Sequence, residues 1–244
     1  MTARPFEGRV VAVTGASRGI GRAAAFALAE AGAHVIAVAR TVGALEELDD
    51  AIKAAGGSAT LVPLDLKDFA GIDRLGAAIY ERWGHLDGLF GNAGQLGALT
   101  PLAHLEPRVF DQVMTINVTA NWRLIRSLDP LLRSATAGRV LFVTSGVAHT
   151  FRAYWGLYAI TKAAVEGLAR TYAAEVASTP LRVNLINPGP LRTRMRAQAM
   201  PGEDPLTLQE PAALAPDILR MLSPDFTDNG VLFDFPSRAT RTFS

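Results

Sequence analysis

The sequence predicts an α/β fold: a single doubly wound domain of about seven parallel strands with helices on both faces. Three observations point there. Short apolar runs recur along the chain without alternating in polarity, as strands buried on both faces must. Helical stretches separate these runs, joined by short connections. A glycine-rich turn follows the first run and opens the first helix, where such folds receive anions.

The first strand is predicted over 10–14 and the Ala-rich helix after it over 22–31, with Gly32 as the C′ residue that helices favour. A strand over 34–39 leads to a helix over 42–55. The unit repeats as a strand over 59–64, a helix over 69–83 and a strand over 88–90. Later strands are predicted over 139–144, 181–186 and 231–235, the first two each beyond another helix. No Pro- or Ser-rich linker divides the chain. Residues 1–244 are therefore expected to form one domain, with a small substrate lid near 190–212.

Composition narrows the function classes. With 244 residues, 49% of them hydrophobic, the chain can bury a sizeable core. A net charge of +1 offers neither a basic face for nucleic acid nor an acidic tail. The absence of cysteine excludes disulfides and thiolate metal sites, and His34, His85, His104 and His149 lack ligand spacing, so no metal is expected. The stretch from Met1 to Glu7 has no signal-peptide core, and no apolar run is long enough to span a membrane. The chain reads as soluble and cytoplasmic.

The first turn reads Thr14-Gly15-Ala16-Ser17-Arg18-Gly19-Ile20-Gly21. Glycines here let the backbone turn sharply and approach a pyrophosphate, whose charge meets the free N–H groups of the following helix. Where a ribose-binding carboxylate would end the second strand, the chain has Ala39 and then Arg40. Arg18 and Arg40 converging on a 2′-phosphate would favour NADP(H) over NAD(H); otherwise they are solvated surface charges.

Tyr158 and Lys162 lie four apart in a stretch of helical character and so share a face. A phenol keeps its proton to a pKa of about 10. A nearby ammonium favours the phenolate, which would make Tyr158 an acid or base near neutral pH. Ser145 follows a strand at the sheet's C-terminal edge, where its hydroxyl could hold a substrate carbonyl. Asn92-Ala93-Gly94 and Asn187-Pro188-Gly189 also follow strands and leave room for a cofactor. Asn117 lies mid-helix, where asparagine is a poor helix former, so a specific hydrogen-bonding task is expected.

In order and spacing these segments resemble the compact branch of the short-chain dehydrogenase/reductase family, whose domain is Rossmann-type. The resemblance covers nearly the whole chain and includes Asp65 after the third strand, Thr193, and the thirteen-residue step from Ser145 to Tyr158. It implies that Asp65 bonds an adenine amino group, with the Leu66 backbone assisting. Ser145 would orient a substrate carbonyl and Tyr158 would give or remove its proton. Lys162 would bond the nicotinamide ribose and lower the tyrosine pKa, while Asn117 would hold a water linking Lys162 to solvent. Pro188, Gly189, Leu191 and Thr193 would line the nicotinamide carboxamide and the diphosphate.

The implied activity is hydride transfer between NADP(H) and a small carbonyl or alcohol substrate, in a homodimer or homotetramer. The alternatives are an NAD-dependent alcohol dehydrogenase and a non-catalytic NADP(H) sensor. Residues 187–196 also resemble those of bacterial members named as oxoacyl-carrier-protein reductases. Two positions depart from the family pattern: Gly91 replaces a frequent Asn, and 234–244 lacks the usual Gly-Gly ending. On the substrate side, Met195 and Met200 suit an adaptable apolar pocket. Arg192, Arg194 and Arg196 either meet an anionic substrate or cap the lid helix and face water. Phe151, Tyr154 and Trp155 would wall the pocket or pack between subunits, and Gln95 and Leu96 are further candidates.

Overall fold

The apolar runs become β1 (Val10–Thr14), β2 (His34–Ala39), β3 (Ser58–Pro63), β4 (Gly88–Gly91), β5 (Arg139–Val143), β6 (Arg182–Asn187) and β7 (Val231–Asp234) in a computed structural model that describes residues 4–242. Residues 1–3, from the segment read for a signal peptide, lie outside the described residues, as do Phe243 and Ser244 of the C-terminal tail. All seven strands run parallel. β1, β4, β5 and β7 are buried along their whole length, which is why their sequences do not alternate.

An eighth strand, β8 (Ala239–Thr242), exceeds the expected count. It pairs antiparallel with β7, Asp234 opposite Ala239, after a turn in which Arg238 takes φ 57°. Every residue of β8 is exposed, so backbone pairing alone positions it and no apolar pattern marks it in the sequence. The sheet order is β3-β2-β1-β4-β5-β6-β7-β8. The chain departs from β1 first to one side and then to the other, which opens a crevice beyond the C-terminal ends of β1 and β4.

The helices are α1 (Gly19–Glu30), α2 (Val42–Ala54), α3 (Phe69–Trp83), α4 (Pro107–Met114), α5 (Ala120–Ser134), α6 (Val147–Thr150), α7 (Gly156–Glu175), α8 (Arg194–Ala199) and α9 (Ala215–Leu222). Leu28, Leu48 and Ile218 of α1, α2 and α9 pack on one face of the sheet, and Ile72, Leu124 and Val165 of α3, α5 and α7 on the other. α1 begins three residues earlier than the pattern predicts, because its first turn contains two glycines. It stops at Ala31, with Gly32 in the expected C′ place at φ 106°. A π turn, Thr115–Thr119, joins α4 to α5 and contains Asn117, so the predicted mid-helix residue stands at a local distortion of a kind frequent at functional sites.

The opposite end of the sheet is locked. Arg139, buried at the start of β5, donates to the carbonyls of Gly138 (2.8 Å), Pro180 (3.1 Å), Ser223 (3.1 Å) and Pro224, tying β5 to the loops beside it. Among the described residues no helix is long and apolar enough to cross a membrane.

Candidate active site

The strand ends open into a cleft of about 1870 Å³. Gly15 and Gly19 have φ of 68° and 55°, conformations that side chains resist. A Cβ on Gly21 would stand 2.2 Å from the Gly15 carbonyl and 2.5 Å from the Asn92 amide nitrogen. α1 therefore starts tight against the loop, with Arg18 extended at its N-cap and, among the described residues, no side chain bonded to its first N–H groups. Those groups and the positive end of the helix are left to attract an anion. Ser17, Ile20, Asp65 and Leu66 line the same cleft, as do Arg18 and Arg40, both exposed and, among the described residues, unpaired with any carboxylate. Asp65 is turned by Lys67, whose N–H it accepts at 3.0 Å. A glycine cradle, open helix N–H groups and two free guanidiniums fit a dinucleotide carrying an additional phosphate. Arg22, overlooked in the sequence, also lines the cleft.

Thr14, read in the sequence as the end of a strand and the start of the glycine turn, also organises the next loop. Its Oγ1 accepts the N–H groups of Asn92 (3.0 Å) and Ala93 (3.1 Å), while Asn92 Nδ2 donates to the Thr14 carbonyl at 2.9 Å. The predicted segment Asn92-Ala93-Gly94 is thereby held against the glycine loop, and all three residues face the cleft.

Tyr158 and Lys162 lie in the first two turns of α7, 8% and 4% exposed, and share the cleft with Ser145. Lys162 Nζ donates to the Val143 carbonyl at 2.8 Å and stands 5.5 Å from the centre of the Tyr158 ring. The expected lowering of the tyrosine pKa is not what this geometry yields. Burial pushes the Tyr158 phenol up, and burial also pulls the Lys162 ammonium down to about 8, against the opposing pull of Glu166. Both charged forms are disfavoured because both groups have left water.

Asn117 has the specific bonding task expected of it, but its side chain does not line the cleft. Its Oδ1 accepts the Gln95 N–H (2.8 Å), and its Nδ2 donates to the Gln95 carbonyl and to Thr161 Oγ1, each at 2.9 Å. It thus clamps the loop after β4 to α7, one residue before Lys162.

Leu96, Tyr158 and Ala199 form a small apolar cluster, with Leu99, Val147, Trp155, Met195 and Met200 packed on it. Trp155 meets the Tyr158 ring edge-on at 6.3 Å. Phe151 and Tyr154 instead project into solvent away from the cleft, at φ 46° and 70°. Of the three arginines over 192–196, Arg192 pairs with Glu210, and Arg196 makes a two-pronged pair with Glu203 (2.5 and 2.6 Å). Arg194 alone of the three is exposed on the cleft and, among the described residues, without an acidic partner.

Pro188, Gly189, Leu191 and Thr193 all face the cleft, and Thr193 approaches Gly19 across it. The C-terminal turn, noted in the sequence only as a departure from the family's usual ending, buttresses them. Asp234 accepts from Asn187 Nδ2 at 2.6 Å and from the Ser237 N–H at 3.2 Å. Gly189, at φ 62°, has room only for hydrogen, since a Cβ would reach within 2.3 Å of Pro236.

A family model described as short chain dehydrogenase matches residues 9–204. The Escherichia coli (strain K12) protein named Uncharacterized oxidoreductase YciK is 40% identical over 230 residues, 93% of this chain and 91% of its own length. A short chain dehydrogenase from Shigella flexneri 2a, solved in complex with NADP, superposes with a TM-score of 0.92 at 39% identity, covering 96% of this chain and 99% of its own. Another, from Escherichia coli CFT073 in complex with NADPH, gives 0.90 at 38% identity over 96% and 99%.

Proposed function

Since the chain belongs to the short chain dehydrogenase family, we propose that it is an NADP(H)-dependent oxidoreductase of carbonyl or alcohol substrates, with Tyr158 exchanging the proton. The observation that carries this reading is a buried tyrosine, Tyr158, opening on the same cleft as Ser145, Lys162 and the glycine loop. Bound along that loop, the cofactor supplies or accepts the hydride. Gly15, Ser17, Gly19, Ile20 and Gly21 hold its diphosphate, Arg18 and Arg40 its 2′-phosphate, and Asp65 with Leu66 its adenine. Asn92, Ala93, Gly94, Pro188, Gly189, Leu191 and Thr193 shape the nicotinamide end. The relatives solved with NADP and NADPH support the same choice of cofactor.

In the reductive direction Ser145 holds the carbonyl oxygen and Tyr158 donates its proton to that oxygen as the carbon becomes C–H. A phenol pushed up by burial is protonated at neutral pH, which suits this direction. Lys162 returns a proton to the phenolate and bonds the nicotinamide ribose. Asn117 fixes the loop and helix around them. The cluster of Leu96, Val147, Trp155, Met195, Ala199 and Met200 suits an apolar flank on the carbonyl, and residues 190–212 serve as its lid. The exposed Trp122, Phe151, Tyr154 and Ile160 suit burial between subunits of a homodimer or homotetramer.

Titration of protein fluorescence with NADPH and with NADH tests the cofactor. NADPH is expected to bind more tightly, and Arg40→Ala should weaken it by about tenfold while leaving NADH nearly unchanged. Tighter NADH binding overturns the assignment. Ketones and aldehydes with apolar flanks, screened by NADPH absorbance, should include a substrate. Failure of every carbonyl, and of the matching alcohols with NADP, overturns the reaction.

A further inference from the structure

A buried ammonium needs a counter-charge or it sheds its proton. Lys162 is nearly inaccessible, and its hydrogen-bond partner, the Val143 carbonyl, is neutral. One turn further along the same face of α7 stands Glu166, itself only 6% exposed and unused by the proposed mechanism. Its Oε1 accepts from Thr144 Oγ1 at 2.5 Å and faces His149 Nε2 at 3.1 Å. Thr144 is fully buried at the end of β5, and His149 reaches in from α6 with its outer edge in solvent. These two residues flank Ser145 in the chain. We propose that Glu166 is a positioning residue, the counter-charge that keeps Lys162 cationic, and that Thr144 and His149 hold its carboxylate in place. The proposal rests on the proton-supplying role given to Lys162 above.

The groups that bear on the pair are few. From α7 itself come Lys162, Tyr158 and Glu166; from β5 the Val143 carbonyl and Thr144; from α6 His149. Gly94 stands opposite Lys162 across the loop that follows β4. Among the described residues Glu166 is the one carboxylate acting on Lys162, and it opposes the burial that pulls the ammonium down to about 8. Its bonds to Thr144 and His149 also draw the segment that carries Ser145 against the helix that carries Tyr158. The two sides of the reacting centre are thereby tied to one carboxylate.

The chain has three lysines, Lys53, Lys67 and Lys162, so protein labelled with 13C-lysine gives three Cε resonances to follow against pH. The Lys162 resonance is the one that disappears in a Lys162→Met variant, and Lys53 and Lys67, exposed on the surface, serve as internal references. Glu166→Gln keeps the shape and removes the charge. Its Lys162 midpoint should fall by about one pH unit or more, while Glu166→Asp should restore most of the wild-type value. A Gln midpoint equal to wild type overturns the proposal. Thr144→Val, which removes one of the bonds to the carboxylate, keeps the test open if the Gln variant does not fold: a smaller fall is expected, and no fall overturns the holding role. The readout needs neither substrate nor turnover. A Lys162 midpoint that responds to Glu166 in an inactive protein would therefore sink the proton-supplying role of Lys162 and leave the counter-charge standing.

Discussion

The Tyr158 phenol lies where water scarcely reaches, and under the proposed function it is the group whose loss should separate chemistry from binding. Tyr158→Phe is expected to bind NADPH as the wild type does and to lose about 100-fold or more in kcat, the usual contribution of a positioned acid or base. Surviving turnover would remove Tyr158 from the reaction. Lys162 makes a prediction about stability. Its folded pKa, about 8, lies below the ordinary 10.5, so the unfolded chain holds more protons between those values. Stability should therefore rise with pH from about 8, by about 2 kcal/mol at pH 10. Above pH 10 the tyrosines Tyr158 and Tyr172, both pushed up chiefly by burial, reverse the trend. Urea unfolding at pH 8, 9 and 10 measures the slope, and Lys162→Met should abolish it. At this scale the motif residues were legible because residue type and spacing carry them. Thr14, His149 and Glu166 were not, since their partners lie far away in the chain: Thr14 meets Asn92, and Glu166 meets Thr144 and His149.

Elements were read well where burial imposed a pattern. β1 and β2 fall on their predicted residues, and α3 spans its predicted range. β8 was missed because an exposed edge strand needs no apolar side chain, and the start of α1 was missed because glycines hide a helix. Yet those glycines are the most demanding residues of the loop–helix unit. Gly21→Ala is expected to cost about 1–3 kcal/mol, as overpacking does, and to weaken NADPH binding, since the new methyl must displace the Gly15 carbonyl or the Asn92 amide. Calorimetric unfolding and cofactor titration check both effects. Unchanged values in both would mean that the loop yields freely. The segment over 190–212, proposed as a lid, shows how a fold pairs charges that composition leaves open. Arg192 and Arg196 were open to either an anion or water, and the fold commits both to glutamates of the same segment, Glu210 and Glu203.

At the scale of the whole molecule, the sheet has a fixed end and an open one. Arg139 ties the loops together at the first, and the cleft occupies the second. The exposed aromatic and aliphatic side chains Leu102, Trp122, Phe151, Tyr154 and Ile160 would be costly to leave in water. Sedimentation velocity at micromolar concentration is expected to find a dimer or a tetramer, and a monomer would remove the subunit contact proposed for these residues. The sequence leaves Phe151 and Tyr154 open to pocket or subunit contact, because both uses call for the same residue types. The turn at 234–237 has a consequence for synthesis. A nascent chain makes the glycine loop, Ser145, Tyr158 and Lys162 long before it makes Asp234 and Pro236, which brace Asn187 and Gly189. Domains that fold as they emerge acquire their early parts first. The cleft is therefore finished only once Asp234 to Pro236 have been made, and a chain broken off before Asp234 would hold the proposed reacting groups and still lack the brace beneath Asn187 and Gly189.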